Sequence, residues 1–229
     1  MSERQRIVTE VTPKRAFASA LDWPGWSRSG KSEAHAIAAV LAYAPRYARV
    51  AERSRLGFGL PRDVAALEII ERLVGNGTTD FGAPGAIAAD EQAAVDAETL
   101  RRMTAILGAC WKAFDSAAAE AAGVELSKGP RGGGRDLEGI IGHVRAGEAA
   151  YLSQLGSRPP PETEEAPGAP MTRLRAAFVD TLTAVATGAE LPNPRRTKKF
   201  WPARYAVRRA AWHVLDHAWE IEDRAAGAG

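Results

Sequence analysis

The sequence predicts a small α+β domain over residues 1–92, followed by an all-α four-helix bundle over residues 93–229. Two observations support this division. Before about position 75, short apolar stretches alternate with turns rich in Gly and Pro, which is typical of strands and tight connections. From Asp96 onward, apolar residues recur every three or four positions, which is typical of amphipathic helices.

The amino-terminal part is predicted to contain four strands and one long helix. Ser32 precedes a run with helical apolar spacing, so its hydroxyl is expected to cap a helix there. Pro45 lies inside that run and predicts a kink or an early end, because proline lacks the N–H that a helix interior needs. Residues 75–95 are rich in Gly, Ala and Thr and are predicted to be loop and linker. The strands are expected at 7–11, 15–21, 26–29 and 67–74.

The carboxy-terminal part is predicted to form four long helices. Apolar side chains from Leu100 to Ala121 keep a three-and-four spacing, with Asp96 as the expected cap and Gly123 as the stop. A polar, proline-containing connection separates the second helix from the third and can cross the length of a bundle, which permits one parallel pair of helices. The second, third and fourth helices are expected at 136–155, 171–187 and 202–224.

Composition and charge limit the classes of protein that fit the chain. Apolar residues make up 45% and charged residues 25%, which is typical of a soluble globular protein. The formal charge of +2 is close to neutral, so it favours neither nucleic-acid nor membrane binding. The first residues do not resemble a signal peptide, and no apolar run is long enough to span a membrane. The single cysteine, Cys110, suits a reducing cytoplasm and is expected to be a buried core thiol.

Histidine is the residue type that points to chemistry, because the chain has only four histidines and three of them fall on predicted bundle helices. His213 and His217 are four residues apart, so both imidazoles lie on one helix face and can reach one cation. His143, on the second bundle helix, would complete a three-nitrogen set with an open coordination position. The alternative for His143 is a boundary histidine that hydrogen-bonds a backbone carbonyl. His35 is expected at the surface.

Two acidic residues are candidate catalytic groups. Glu148 lies at the centre of the apolar stripe of the second bundle helix, and a buried carboxylate needs a partner. It could orient a ligand histidine, pair with Arg209 or accept a proton, whereas a tilted helix would leave it in solvent. Asp216 lies between the two histidines of the last helix and is the second candidate proton carrier.

Two segments resemble helices of the DinB/YfiT-like superfamily. The segment 136–152, DLEGIIGHVRAGEAAYL, is similar to the second helix of that family, and the segment 211–220, AWHVLDHAWE, is similar to the fourth. The resemblance covers about residues 96–224. It implies a divalent metal, zinc or nickel, held by His143, His213 and His217. Family members with known roles use such a metal to activate a low-molecular-weight thiol, so the resemblance implies a metal-dependent thiol S-transferase.

A second, shorter resemblance concerns the amino-terminal part. The segment 20–34, ALDWPGWSRSGKSEA, is similar to the strand–turn–helix core of HicB-like antitoxin domains. The similarity extends over about residues 7–52 and implies a fold for this part but no activity.

Basic residues near two bundle helices are candidates for binding an anionic thiol cofactor or substrate beside the metal. Arg135 precedes the second helix, and Arg208 and Arg209 lie in the fourth. Solvated surface charge is the alternative for all of them. The wider basic set comprises Lys128, Arg131, Arg195, Arg196, Lys198, Lys199 and Arg204.

Two other functions compete with thiol transfer. The spacing of His213, Asp216 and His217 differs from the inverted zinc-peptidase pattern His-x-x-Glu-His only in its shorter acid, which suggests a metal-dependent hydrolase. The basic set with Phe200, Trp201 and Tyr205 nearby suggests instead a non-catalytic module that binds nucleic acid or a protein partner. The near-neutral charge argues against nucleic acid. The expected partner is a small substrate or thiol in the cytoplasm, and a homodimer is compatible with the sequence.

Overall fold

The computed structural model describes residues 4–128, 134–161, 169–195 and 200–227, without the side chains of residues 169 and 170. It confirms the predicted fold class, because a four-stranded sheet near the amino terminus is followed by a bundle of four long helices. None of the helices in these ranges is both long enough and apolar enough to cross a membrane.

The sheet is built from β1 (Gln5–Val11), β2 (Ala16–Ala20), β3 (Ser27–Gly30) and β4 (Leu67–Val74) in the order β3-β2-β1-β4. The first three strands form an antiparallel meander, and β4 pairs parallel to β1. The register of that parallel pair shifts between Ile7 and Val8, which leaves a bulge in β4 and makes this sheet edge a poor template for further pairing.

Helix α1 (Glu33–Glu52) packs on the sheet and begins at Ser32, whose hydroxyl accepts a hydrogen bond from the His35 N–H. The helix continues through Pro45, so the predicted early end is wrong. Pro45 is exposed, whereas Ala44 and Tyr47 beside it are buried in the core. The packing of that buried face outweighs the single backbone hydrogen bond that proline removes.

Residues 75–95 are more ordered than the predicted loop and linker. They contain the short helix α2 (Gly77–Phe81) and a 3-10 turn at Ala89–Gln92. Glu10 of β1 is buried beneath them, and its carboxylate accepts hydrogen bonds from the Thr79 hydroxyl and from the backbone N–H groups of residues 85 and 86. The segment is fixed to the sheet because that buried charge needs these donors.

The bundle consists of α3 (Ala97–Glu120), α4 (Leu137–Leu155), α5 (Ala169–Thr187) and α6 (Ala203–Ala226). Helix α6 packs between α3 and α4, and α5 packs against α4 and α3 on the other side. Asp96 and Asp136 cap α3 and α4 by accepting hydrogen bonds from backbone N–H groups in the first turn.

One cluster of buried apolar residues joins the sheet, α1 and the bundle. Ion pairs reinforce the contact between α6 and the amino-terminal part, among them two pairs of Arg46 of α1 with Glu222 and Asp223. Arg208 is 2% exposed and pairs with Glu91, which is equally buried, at 2.6 Å. Arg28 of β3 pairs with Asp216 at 2.8 Å. These pairs hold the amino-terminal part against α6.

Candidate metal centre

Three histidines from two helices meet between α4 and α6. One ring nitrogen each from His143, His213 and His217 lies within 4.8 Å of the others, and the ring centroids form a triangle with sides of 4.8 to 5.0 Å. The Nε2 atoms of His143 and His213 are 3.2 Å apart. Two imidazole nitrogens on one tetrahedral ion, at 2.0–2.1 Å each, lie about 3.3 Å apart. The separation between His143 and His213 therefore matches two ligands on one ion, and a movement of the His217 ring brings in the third nitrogen, which lies within 4.8 Å of them.

Gly147 of α4 allows this close approach. A Cβ atom at this position would lie 2.5 Å from Cε1 of His213 and 2.9 Å from its Nδ1. Such contacts are well inside the ordinary carbon–carbon separation of about 3.5–4.0 Å. The absence of a side chain at position 147 therefore lets the His213 ring lie directly against α4.

His217 is oriented by a carboxylate. Its Nδ1 lies 2.8 Å from Oε2 of Glu220, and the other oxygen of Glu220 accepts a hydrogen bond from Arg224 at 2.9 Å. Arg224 also donates to the backbone carbonyl of Ser127 at 2.7 Å. With Nδ1 directed at the carboxylate, Nε2 of His217 is the nitrogen left free for a metal ion, as in carboxylate–histidine–metal arrangements.

Burial keeps two of the histidines neutral. His213 is 6% exposed, and desolvation together with the nearby His217 and His143 lowers its pKa to about 2. Desolvation also lowers the pKa of His143. Neutral imidazole is the form that binds metal, so neither ring has to lose a proton at neutral pH. Nδ1 of His213 is buried without a hydrogen-bond partner among the described residues.

Two of the predicted basic residues lie near the histidines. The positive charge of Arg209 contributes to the lowered pKa of His213, and that of Arg135 does so for His213 and His143. The Arg209 guanidinium lies 4.8 Å from the Trp212 ring centroid, and its Nη1 is buried without a partner within the described part of the chain. Arg135 is exposed, and no ion pair involves it among the described residues. Both charges favour an anion beside the histidines.

Arg208 has a different environment from Arg209. It is buried against Glu91 and also donates to the backbone carbonyl of Ala86 at 2.8 Å, so it holds the amino-terminal part on α6. Nothing in the structure places its guanidinium at the histidines. Of the wider basic set, Arg131, Arg196, Lys198 and Lys199 lie outside the described residues.

Glu148 is buried, which excludes the tilted-helix alternative, but its partner is Arg175 of α5 and not Arg209. Arg175 donates to Glu148 at 3.3 Å and to both oxygens of Asp115 at 2.8 and 2.9 Å. Desolvation raises the pKa of Glu148 to about 7 despite this arginine. Its second oxygen has no hydrogen-bond partner in the described ranges. The carboxylate thus lies against α3 and α5, with no hydrogen bond to a histidine recorded there.

Asp216 faces away from the histidines. Its ion pair with Arg28 directs the carboxylate toward β3, and Arg28 itself lies over the Tyr43 ring at 4.0 Å. Packing also accounts for Cys110 and Trp201, whereas Phe200 is 42% exposed. Cys110 is buried, and desolvation raises the pKa of its thiol strongly. Trp201 packs against Tyr151 with a centroid separation of 5.5 Å, so its ring is not a free stacking surface.

Glu220 and Gly147 belong to the site, although the sequence analysis assigned neither of them a role. The position of Glu220 in the sequence indicates that it lies near His217, because a residue three positions later lies on the same helix face. Gly147 belongs to a strip of small residues beside His143 on α4, and such a strip indicates a close approach of another helix.

The chain was compared with protein-family models, with curated proteins and with solved structures, and none of the three comparisons gave a match. The DinB/YfiT-like and HicB-like resemblances therefore stay predictions from sequence motifs.

Proposed function

We propose that this protein binds one divalent transition metal, zinc or nickel, through His143, His213 and His217, and acts as a metal-dependent transferase of a low-molecular-weight thiol. The observation that carries the metal assignment is the histidine triangle, in which two Nε2 atoms are 3.2 Å apart and the His213 ring is buried. Three imidazoles held together by two helices leave coordination positions for a substrate, which is the ligand number of catalytic zinc sites.

The surrounding residues support an anionic ligand at this centre. A bound divalent ion supplies a Lewis acid that favours the thiolate form of a thiol at neutral pH. Arg209 and Arg135 add positive charge near the histidines. Glu220 fixes the tautomer and orientation of His217 through its 2.8 Å contact. The chain's own groups thus hold the ion and attract the anion, while the thiol assignment itself rests on the two DinB/YfiT-like motifs.

The metal assignment is tested by metal analysis of the purified protein. We expect about one zinc or nickel ion per chain, and the single substitutions His143→Ala, His213→Ala and His217→Ala should each weaken binding by at least about a hundredfold. His35→Ala is the matched control, because His35 lies on α1 and its ring contacts Ser32. Equal metal content in His35→Ala and His213→Ala would refute the site.

Thiol transfer is tested with monochlorobimane as a model electrophile and with mycothiol, bacillithiol and cysteine as thiols. In this reaction the sulfur bonds to the bimane carbon, chloride leaves, and the thiol proton passes to solvent. We expect turnover that needs both the metal and one of these thiols, and loss of turnover in His213→Ala. If metal-loaded protein accelerates the reaction with none of them, the transferase assignment is wrong while the metal site is unaffected.

A further inference from the structure

A second candidate binding site lies between the amino-terminal part and the bundle. A cavity of about 140 Å³ is lined by residues of the chain after β2, the 3-10 turn at Ala89–Gln92, α3 and the start of α6. It is separate from the histidines, because Arg204 in its wall precedes His213 by nine residues, which is about 14 Å along a helix. An engineered protein cavity of about 150 Å³ holds benzene, so this volume suits a ligand of about six to ten non-hydrogen atoms.

Two guanidinium groups line the cavity. Arg102 of α3 is held over the Trp23 ring at 4.3 Å and donates to the backbone carbonyl of Asp22 at 2.9 Å through Nη2. Arg204 of α6 donates to the backbone carbonyl of Ala94 at 3.1 Å, while its Nε is buried with no partner in the described ranges. A buried donor without an acceptor is unfavourable, and the carboxylate of a ligand would satisfy it.

Two carboxylates with free acceptor capacity also line the cavity. Oδ1 of Asp22 and Oδ1 of Asp90 both accept from Arg6, at 3.1 and 2.7 Å. Their Oδ2 atoms accept no hydrogen bond from any described residue, whereas Glu91 is saturated by Arg208 and a backbone N–H. Among the described residues these acids belong to no cluster of three or more potential metal ligands, unlike the histidines. An ammonium group of a ligand is the donor that suits the free oxygens.

The floor of the cavity is apolar. It is formed by Leu21, Pro24, Met103 and Ile106, of which the last two are almost fully buried. We propose that this cavity binds a small zwitterion of the α-amino-acid class. The ligand carboxylate lies against Arg102 and Arg204, the ammonium group against Asp22 and Asp90, and an aliphatic side chain on the floor. A simple anion of the same size meets the two carboxylates, and a simple cation meets the two guanidinium groups, so the zwitterion binds more tightly.

The test compares three ligands that share one aliphatic skeleton. L-valine carries both charges, isovalerate only the carboxylate, and isobutylamine only the ammonium group. Titration calorimetry is expected to give a dissociation constant for L-valine of about 1 mM or lower and binding at least about tenfold weaker for the other two. The other small L-α-amino acids are titrated in the same way, because the apolar residues of the floor determine which aliphatic side chain fits. If no member binds at about 5 mM, or if isovalerate binds as well as L-valine, the proposal is wrong.

Variants locate the bound ligand. Arg102→Gln and Asp90→Asn should each weaken the binding of L-valine by at least about tenfold. The control is Arg101→Gln, which removes an exposed arginine paired with Glu98 and should leave binding unchanged. The Trp23 indole resonance, assigned with Trp23→Phe, should shift on titration because Arg102 lies over that ring. An unshifted Trp23 signal with binding intact would place the ligand elsewhere and overturn the assignment. Binding should persist in His213→Ala, so this test is independent of the metal centre.

Discussion

Gly147 offers a direct way to disturb the histidine triangle without removing a ligand. In Gly147→Ala the new methyl group would lie 2.5 Å from Cε1 and 3.4 Å from Nε2 of His213. The ring must retreat by about 1 Å to restore carbon–carbon contact at 3.5 Å or more. His213 is 6% exposed and packed on its other sides, so this movement displaces Nε2 from His143.

Gly142 on the same helix provides the matched control. An added Cβ there meets no atom within 4 Å. Alanine is favoured over glycine in a helix interior by about 1 kcal/mol, so Gly142→Ala should stabilise the metal-free protein by up to that amount. Gly147→Ala has the same gain in helix propensity. Its clash with the His213 ring should cost about 1–3 kcal/mol, which cancels or reverses that gain.

Zinc competition with a chromophoric chelator, together with thermal unfolding of the metal-free protein, measures both effects. We expect Gly147→Ala to weaken zinc binding at least about tenfold, because ligand displacement is costly at a metal, and Gly142→Ala to bind as the parent protein does. If the two variants bind zinc equally and have equal stability, His213 does not pack on Gly147 as described.

Three further substitutions test the surroundings of the site. Burial raises the pKa of Glu148 from 4.5 to about 7. Between these two pH values the folded protein keeps a proton on Glu148 that the unfolded chain has released, so the free energy of unfolding falls as the pH rises from about 4.5 to about 7. Glu148→Gln should therefore stabilise the protein by about 2–3 kcal/mol at pH 8 and by little at pH 5, measured by urea unfolding. Glu220→Gln should weaken zinc binding about ten- to a hundredfold, measured by chelator competition. Arg208→Ala should cost about 3–5 kcal/mol in urea unfolding, because Glu91 is left buried without its partner.

Each of these expectations has a contrary outcome. Equal effects of Glu148→Gln at the two pH values would mean that the carboxyl does not titrate between them. Unchanged zinc affinity in Glu220→Gln would mean that the carboxylate does not orient His217. For Arg208, the control is Arg101→Ala, which removes an exposed ion pair and should change stability by at most about 1 kcal/mol. A similarly small change in Arg208→Ala would contradict a buried ion pair.

Local signals explain why most of the elements could be predicted from sequence. The caps Asp96 and Asp136 and the helical spacing that follows them act within a few residues, and the structure places α3 and α4 where those signals indicate. The strand expected at 67–74 is found as Leu67–Val74. The departures have tertiary causes. The helix passes Pro45 because its neighbours are buried against the sheet, and residues 75–95 are ordered because Glu10 beneath them needs donors.

In the candidate site, too, features with a local sequence signal could be predicted and features with a tertiary cause could not. The pairing of His213 with His217 follows from helix spacing, and His143 joined them through motif similarity. The partners of the charged residues are distant in sequence and leave no local pattern. Arg28 and Asp216 are 188 residues apart, and Arg208 and Glu91 are 117 apart. The basic run was therefore expected at the surface or around a ligand, although Arg208 within it is an internal ion-pair residue.

In the proposed metal centre, three imidazoles and no other protein side chains bind one divalent ion. X-ray absorption at the zinc edge of the zinc-loaded protein tests it most directly, because imidazole and sulfur ligands give distinct signals. We expect three imidazole nitrogens at about 2.0–2.1 Å and no sulfur, since Cys110 is buried in the core. Fewer than three imidazoles, or a sulfur ligand at about 2.3 Å, would contradict the assignment.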